Sequence, residues 1–118
     1  MAANRPLNRT VVVGARIFRG GFANERTYSF TTPDGLEYTG TAPWIYCFDE
    51  EMTRVEEEPS DNGVRGFVQA RVVKEVIDKP SHSKLVFPGG DVYVVPNTVI
   101  KEGVEIPQLP ESYARVPV

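Results

Sequence analysis

The stretch VRGFVQARVVKEVID, residues 64 to 78, is the clearest indicator of the fold, because its apolar and polar residues alternate. The apolar set is Val64, Val68, Ala70, Val72 and Val76, and the polar set is Arg65, Gln69, Arg71 and Glu75. Since successive side chains of a strand point to opposite faces, this pattern predicts a long half-buried β-strand. Gly66 lies near its start and is expected to allow a bend.

Two hairpins are predicted on either side of the long strand. Residues 26–30 and 35–40 flank Pro33-Asp34-Gly35, which suits a tight turn with glycine at a positive-φ position. Residues 83–87 and 92–96 flank PGGD at 88–91 in the same manner. Further strands are predicted at residues 10–18 and 43–48, the latter on an edge or at a bulge because it starts with Pro43. We find no long helix and no internal repeat in the sequence.

Short strands at regular spacing, each with one apolar face, favour a small β-barrel or sandwich. Closure into a barrel would bury the apolar faces, so the expected fold is an all-β barrel of five or six short strands. The chain of 118 residues is expected to hold one such domain at 10–106. A flexible basic tail at 1–9 would precede it, and a proline-containing arm at 107–118 would follow.

Composition is that of a folded soluble protein, with 41% hydrophobic and 25% charged residues. No apolar run is long enough to span a membrane, and the first residues lack the apolar core of a secretory signal. We therefore expect a cytoplasmic location and no membrane partner. The one cysteine, Cys47, excludes an internal disulfide and is expected to be a buried, inert thiol.

The net charge of −3 is unevenly distributed along the chain. The first 26 residues carry arginines at positions 5, 9, 16, 19 and 26 against Glu25 alone, whereas the remainder is acidic. A basic amino-terminal segment suits contact with a phosphate backbone, and it equally suits a solvated tail followed by an ordinary strand.

The residues that usually carry catalysis are scarce. One histidine, His82, and one cysteine leave almost no material for a nucleophilic triad or a nitrogen–sulfur metal site. The glycine turns FRGGF and FPGGD lack the lysine of a phosphate-binding loop. The acidic run DEEMTRVEEE, at 49–58, lacks the alternating ligands of a calcium loop and is expected to be solvated. We therefore expect no enzyme, no cofactor and no metal.

The stretch TYSFTTPDGLEYTGTAPWIYCFDEEMTRVEEE resembles the first motif of Sm-like proteins. The matching residues, in the family's order, are Asp34-Gly35, Tyr38, Gly40, Phe48-Asp49 and Met52. The spacing from Gly40 to Phe48 is a few residues longer than the family usually has, and Thr53 stands at its RNA-contacting asparagine. In the second motif Gly90 matches the glycine, and Gly89 stands in place of arginine.

This resemblance implies a small, strongly bent Sm-like (SH3-like) barrel of five or six strands. It also implies a ring-forming, non-enzymatic binding module with RNA as a candidate ligand. Sm-like rings form by pairing the fourth strand of one subunit with the fifth of the next, which would be edge strands near 83–87 and 92–96 here. The residues implied at the RNA site are Asp49, Met52, Thr53, Arg54, Arg65, Gly89 and Gly90. The alternative is a structural or protein-interaction barrel without a nucleic-acid role, which the acidic balance of residues 27 to 118 favours.

Overall fold

The computed structural model describes residues 9–75 and 80–109, and it confirms an all-β fold with no α-helix in these ranges. The strands are β1 (Thr10–Arg19), β2 (Glu25–Thr31), β3 (Glu37–Pro43), β4 (Cys47–Asp49), β5 (Val64–Glu75), β6 (His82–Val86), β7 (Val92–Pro96) and β8 (Ile100–Lys101). Six of them form a sheet in the order β3-β2-β1-β5-β6-β7, which curls through 298° into a half-barrel.

The two longest strands, β1 and β5, lie antiparallel at the centre of this sheet. Along the edge that does not face the other central strand, each of them pairs with two further strands. On β5, the short strand β4 pairs up to Val68, and β6 pairs from Arg71 onward. On β1, β8 pairs with Val12 and Val13, and β2 pairs from Arg16 onward. Both central strands are therefore left unpaired on that edge for two residues.

The chain is built from two halves of the same architecture, which the sequence reading missed. In each half, three strands are followed by a proline, a single 3-10 turn and a short strand that pairs with the other half's central strand. Val13 lies opposite Val68, so the pseudo-two-fold axis passes through this pair. Cys47 opposite Val68 in one half corresponds to Ile100 opposite Val13 in the other.

The two hairpin turns, one in each half, have the same pattern of backbone hydrogen bonds. The N–H of Gly35 donates to Thr32 and that of Thr32 to Leu36, just as Gly90 donates to Phe87 and Phe87 to Asp91. Gly35 and Gly90 have φ values of 88° and 95°, as expected for glycine in such turns. The sequence keeps only traces of this repeat: Val13, Ala15, Arg16, Pro33, Gly35 and Tyr38 recur at equal spacing as Val68, Ala70, Arg71, Pro88, Gly90 and Tyr93.

One hydrophobic core fills the barrel, and it includes Ile17, Tyr28, Val68, Val72 and Leu85. The predicted alternation of the long strand is confirmed as far as it is described, since Val68, Ala70 and Val72 are buried whereas Arg65 and Arg71 are exposed. Cys47 is fully buried, and burial raises the pKa of its thiol to about 12, so the thiol stays protonated at neutral pH.

A pair of tyrosines bridges the two end strands, β3 and β7. The Tyr93 hydroxyl donates to the carbonyl of Thr39 at 2.9 Å, and the Tyr38 hydroxyl donates to that of Val94 at 3.3 Å. The two residues are equivalent in the two halves, so this clasp obeys the pseudo-two-fold. Behind it, the Tyr28 hydroxyl donates to Asp91, and burial, together with that carboxylate, raises the pKa of Tyr28.

The structure differs from the sequence predictions at two points. Residues 83–87 do not form an edge strand, because β6 is paired with β5 on one side and β7 on the other, so β3 and β7 are the ends of the sheet path. Trp44–Tyr46 forms a 3-10 turn rather than part of a strand, although Pro43 does lie on an end strand as predicted. The tail at 1–8, the end of the predicted long strand at 76–78 and residues 110–118 lie outside the described residues.

Candidate functional site

The turn after β4 holds three of the residues that the resemblance implicates. The Asp49 carboxylate accepts hydrogen bonds from the backbone N–H groups of Glu51 and Thr53, at 2.9 and 3.0 Å. Met52 adopts a φ of 62° within this turn, and its N–H donates to the Asp49 carbonyl. Asp49 therefore has a structural role, since its carboxylate satisfies donors of its own loop.

Arg54 also has a structural role. Its guanidinium donates to the backbone carbonyls of Ile45, Pro107 and Gln108 at 2.7 to 3.1 Å, and it lies over the Phe48 ring. Burial lowers the pKa of this guanidinium. These bonds fasten the segment after β8 to the turn after β4, so they occupy most of the donors that a phosphate would need.

The glycine turn between β6 and β7 explains why arginine is absent from position 89. A Cβ built on Gly89 would lie 2.2 Å from the carbonyl oxygen of Thr41, which is closer than any real contact. A side chain at this position would therefore separate the turn from β3. A Cβ built on Gly90 would not clash with any atom, but the φ of 95° at this position disfavours any residue other than glycine.

Arg65 lies directly opposite Arg16 on the neighbouring strand, and both side chains are exposed. Like charges in this arrangement repel each other. The Arg16 Nε donates to the Asn62 carbonyl at 2.6 Å. Both arginines line a cavity of about 550 Å³ together with three acidic residues, Asp49, Glu50 and Glu51. Carboxylates therefore offset the positive charge at this place.

The seven implicated residues are not brought into one site. Asp49 shares one cavity with Arg65 and a second, of about 460 Å³, with Thr53 and Arg54. Gly90 lines a different cavity, where it is joined by none of the other six. Met52 lines none of the five cavities found in the described part of the chain.

The cavity beside Gly90 has the most suitable chemistry for a binding site, and we call it the Arg71 cleft. It has a volume of about 370 Å³ and is lined by Thr10, Tyr46, Gln69, Ala70, Arg71, Val86, Phe87, Pro88 and Gly90. Arg71 is exposed, and no acidic side chain is among the described residues that line the cleft. A guanidinium, an amide and a phenol thus line one concave surface of a chain whose net charge is negative.

The cleft lies where β4 and β6 separate along β5. The N–H of Val72 donates to the Arg9 carbonyl on the β1 side, at 3.0 Å. Backbone groups of an antiparallel strand alternate between its two sides, so Gln69, three residues earlier, directs its N–H and C=O away from β1. Because Val68 faces β1, its pairing with Cys47 directs the Gln69 N–H to the Tyr46 carbonyl. The Gln69 carbonyl faces the gap before β6, where Pro88 has no N–H to donate, so the cleft presents a backbone acceptor beside Arg71.

The sequence analysis missed Arg71, Gln69 and Tyr46. It assigned Arg71 and Gln69 to the solvent face of a half-buried strand, where polar residues need no further explanation. The available signal was the recurrence of Val-x-Ala-Arg at 13–16 and 68–71. Tyr46 comes to this place only because Trp44–Tyr46 is a 3-10 turn that leads into β4.

No group of three or more potential metal ligands occurs among the described residues. None of the helical segments in residues 9–75 and 80–109 has the length and apolar character to cross a membrane. Comparison of this chain with protein-family models, with curated proteins and with solved structures gives no match.

Proposed function

We propose that this chain is a non-enzymatic binding module, a small Sm-like barrel that recognises an acidic, extended segment of a protein partner in the Arg71 cleft. The observation that carries the proposal is the chemistry of that cleft. It combines an exposed arginine, a backbone C=O that faces the gap between β4 and β6, and no acidic lining residue among those described. A charged guanidinium binds carboxylates by charge-assisted hydrogen bonds.

The Gln69 carbonyl favours a peptide over a nucleic acid at this place. An extended peptide can donate a backbone N–H to such an unpaired carbonyl, and its side chains then supply specificity. Tyr46 adds a hydroxyl, and Val86 and Pro88 add apolar surface for the remainder of such a segment. Stacking of RNA bases needs exposed aromatic rings, whereas Phe87 of the cleft is buried and Tyr46, the other aromatic residue among its described lining residues, is half-buried.

A binding role without catalysis is supported by the state of the titratable groups. The Cys47 thiol is buried and has a raised pKa, which opposes formation of a nucleophilic thiolate. The Asp49 carboxylate holds its own turn. The Ser81 hydroxyl lies 3.0 Å from the His82 ring, but neither residue lines any of the five cavities described above, where covalent catalysis would place a nucleophile and its base.

Replacing Arg71 by alanine tests the proposal. We expect the full chain to bind a blocked hexaglutamate peptide at low salt, and Arg71→Ala to weaken this binding about tenfold, because a charge-assisted hydrogen bond is removed. Isothermal titration calorimetry measures both affinities. Raising the salt from about 0.05 to 0.5 M should weaken binding by the unaltered chain more than binding by the variant.

Arg19→Ala is the matched control, because Arg19 is exposed and lies beside Glu58 and Asp61, outside the cleft. This variant should bind the peptide as the unaltered chain does. Equal loss of affinity in both variants would mean that overall charge, and not the cleft, attracts the peptide. Absence of peptide binding at low salt would overturn the proposal itself.

The second candidate is the Sm-like ring that binds RNA, and the exposed Arg16–Arg65 pair favours it. In that case light scattering across a tenfold concentration range should give a constant mass of six or seven chains. Fluorescence anisotropy should detect binding of a U-rich oligonucleotide, and Arg65→Ala should remove it. A monomer at every concentration, or no RNA binding at low salt, would exclude this candidate.

A further inference from the structure

The two halves of the chain imply a second site. By the pseudo-two-fold that exchanges Val13 and Val68, Gln69 corresponds to Gly14, Ala70 to Ala15 and Arg71 to Arg16. Gly14 lies where β8 and β2 separate along β1, as Gln69 lies where β4 and β6 separate along β5. The Arg71 cleft therefore has a structural counterpart beside Gly14.

The counterpart, which we call the Gly14 cleft, consists of two cavities of about 340 Å³ each that share Gly14 and Thr31. One includes Arg16 and Arg65, and the other includes Pro33, Val99 and Lys101. Pro33 corresponds to Pro88, and Val99 corresponds to Tyr46, so the same elements build both clefts. Each of the two cavities of the Gly14 cleft is thus lined by at least one positively charged side chain.

The backbone of the Gly14 cleft has the same orientation as that of the Arg71 cleft. The carbonyl of Arg9 accepts a hydrogen bond from Val72, so Arg9 faces β5. Alternation along β1 then directs the N–H and C=O of Gly14 away from β5. The pairing of Val13 with Ile100 directs the Gly14 N–H to the Val99 carbonyl, so the Gly14 C=O is the group that faces the space between β8 and β2.

We propose that the chain has two binding sites at corresponding places of its two halves and takes up two acidic peptide segments, one in the Arg71 cleft and one in the Gly14 cleft. This inference rests on the proposed function of the Arg71 cleft. The Gly14 cleft binds more weakly, because Glu50 lines it and opposes the arginines. A partner with two acidic segments, or a two-fold symmetric partner, therefore binds more tightly than one segment alone.

Stoichiometry tests the second site, and Gly14→Val is the decisive variant. A Cβ at position 14 would contact only the Lys101 Cε, at 3.8 Å, so the strand tolerates a side chain that fills the cleft. In calorimetry with the blocked hexaglutamate peptide we expect two sites in the unaltered chain and one in Gly14→Val. Arg71→Ala should keep the second site unchanged and weaken the first about tenfold, and the double variant should show the weakened first site alone. Arg16→Ala should also weaken the second site, by about tenfold.

The possible failures can be told apart. A single site that Arg71→Ala weakens and Gly14→Val leaves intact would overturn the second site and retain the proposed function. No binding by the unaltered chain would overturn both. Tighter binding of a U-rich oligonucleotide than of the peptide, with loss in Gly14→Val or Arg16→Ala, would overturn the acidic-peptide ligand. Urea unfolding of each variant checks that the change is confined to the cleft.

Discussion

Replacing Gly66 by alanine should lower the free energy of unfolding by about 4 kcal/mol, at the upper end of the range for single substitutions. Gly66 is buried on β5, opposite Asp49 of β4 and Ala15 of β1. A Cβ at this position would lie 1.8 Å from the carbonyl oxygen of Phe48 and 2.9 Å from its carbonyl carbon. The obstacle is backbone, so it cannot move aside as the end of a side chain can.

Relief of this contact requires β4 to move away from β5. Phe48 is fully buried and lies opposite Phe67, so the movement would also open the core. The pseudo-two-fold gives an internal comparison, because the residue that corresponds to Gly66 is Val11. The counterpart of β4 is β8, which pairs with Val12 and Val13 and ends before Val11. In β4 the carbonyl of Phe48 lies against position 66, so this position needs glycine.

Urea unfolding followed by circular dichroism measures this effect, and Gly14→Ala is the matched control on β1. The nearest atom to a Cβ at position 14 is a flexible lysine carbon at 3.8 Å, so we expect a change within about 0.5 kcal/mol. Tyr46 lines the Arg71 cleft and directly precedes β4. A displacement of β4 by Gly66→Ala should therefore also weaken peptide binding in that cleft. A Gly66→Ala chain as stable as the Gly14→Ala chain would contradict the close packing of β4 on β5.

The strands were predictable from the sequence because their apolar and polar residues alternate, as in residues 64–72, and because Pro33-Asp34-Gly35 marks a turn. The pairing of β4 with β5 and of β8 with β1 was not predictable. Strands of three and two residues are too short to show a period, and each is joined to its partner by long-range contacts alone. The internal repeat was not predicted either. The two halves have the same backbone path, but few positions need the same side chain in both, so the repeat leaves little trace in the sequence.

The candidate site was less predictable than the fold. The resemblance directed attention to Arg54 and to Gly89, and the structure shows that one is bound to backbone carbonyls and the other has no space for a side chain. The sequence could not separate arginines that hold the fold from arginines that face a cavity. Arg71 and Arg65 are both exposed on β5, and they differ in the acidic residues around them, which come from a distant turn.

Arg26 gives the second large effect, and it shows why counting basic residues along a chain misleads. The amino-terminal segment contains five arginines, yet Arg26 is fully buried and cannot meet a phosphate. Its guanidinium donates to four backbone carbonyls, those of Ala23, Glu25, Val55 and Glu56, at 2.7 to 3.1 Å. It thereby joins the loop before β2 to the acidic segment after β4.

Arg26→Met should lower the free energy of unfolding by about 3 kcal/mol. Methionine has a similar length and removes the cost of a buried charge, but it removes the donor to the carbonyls of Ala23, Val55 and Glu56, and each unsatisfied buried group costs about 1 to 3 kcal/mol. The Glu25 carbonyl still accepts from the N–H of Gly20. Arg26→Lys should recover part of the loss, because one ammonium can still donate up to three hydrogen bonds. Urea unfolding measures both values, and Arg19→Met, at an exposed position, should change stability by less than about 0.5 kcal/mol.

Limited proteolysis distinguishes loss of the carbonyl bonds from general instability. If Arg26 holds the acidic segment, cleavage of Arg26→Met should start within residues 53–60 under conditions where the remainder of the barrel is intact. Gly66→Ala, which disturbs β4 directly, provides the comparison for a destabilised chain that retains these hydrogen bonds. If Arg26→Met and the unaltered chain were equally stable, the unfavourable free energy of burying the guanidinium would equal the favourable free energy of its four hydrogen bonds to carbonyls. Packing alone would then hold the acidic segment in place.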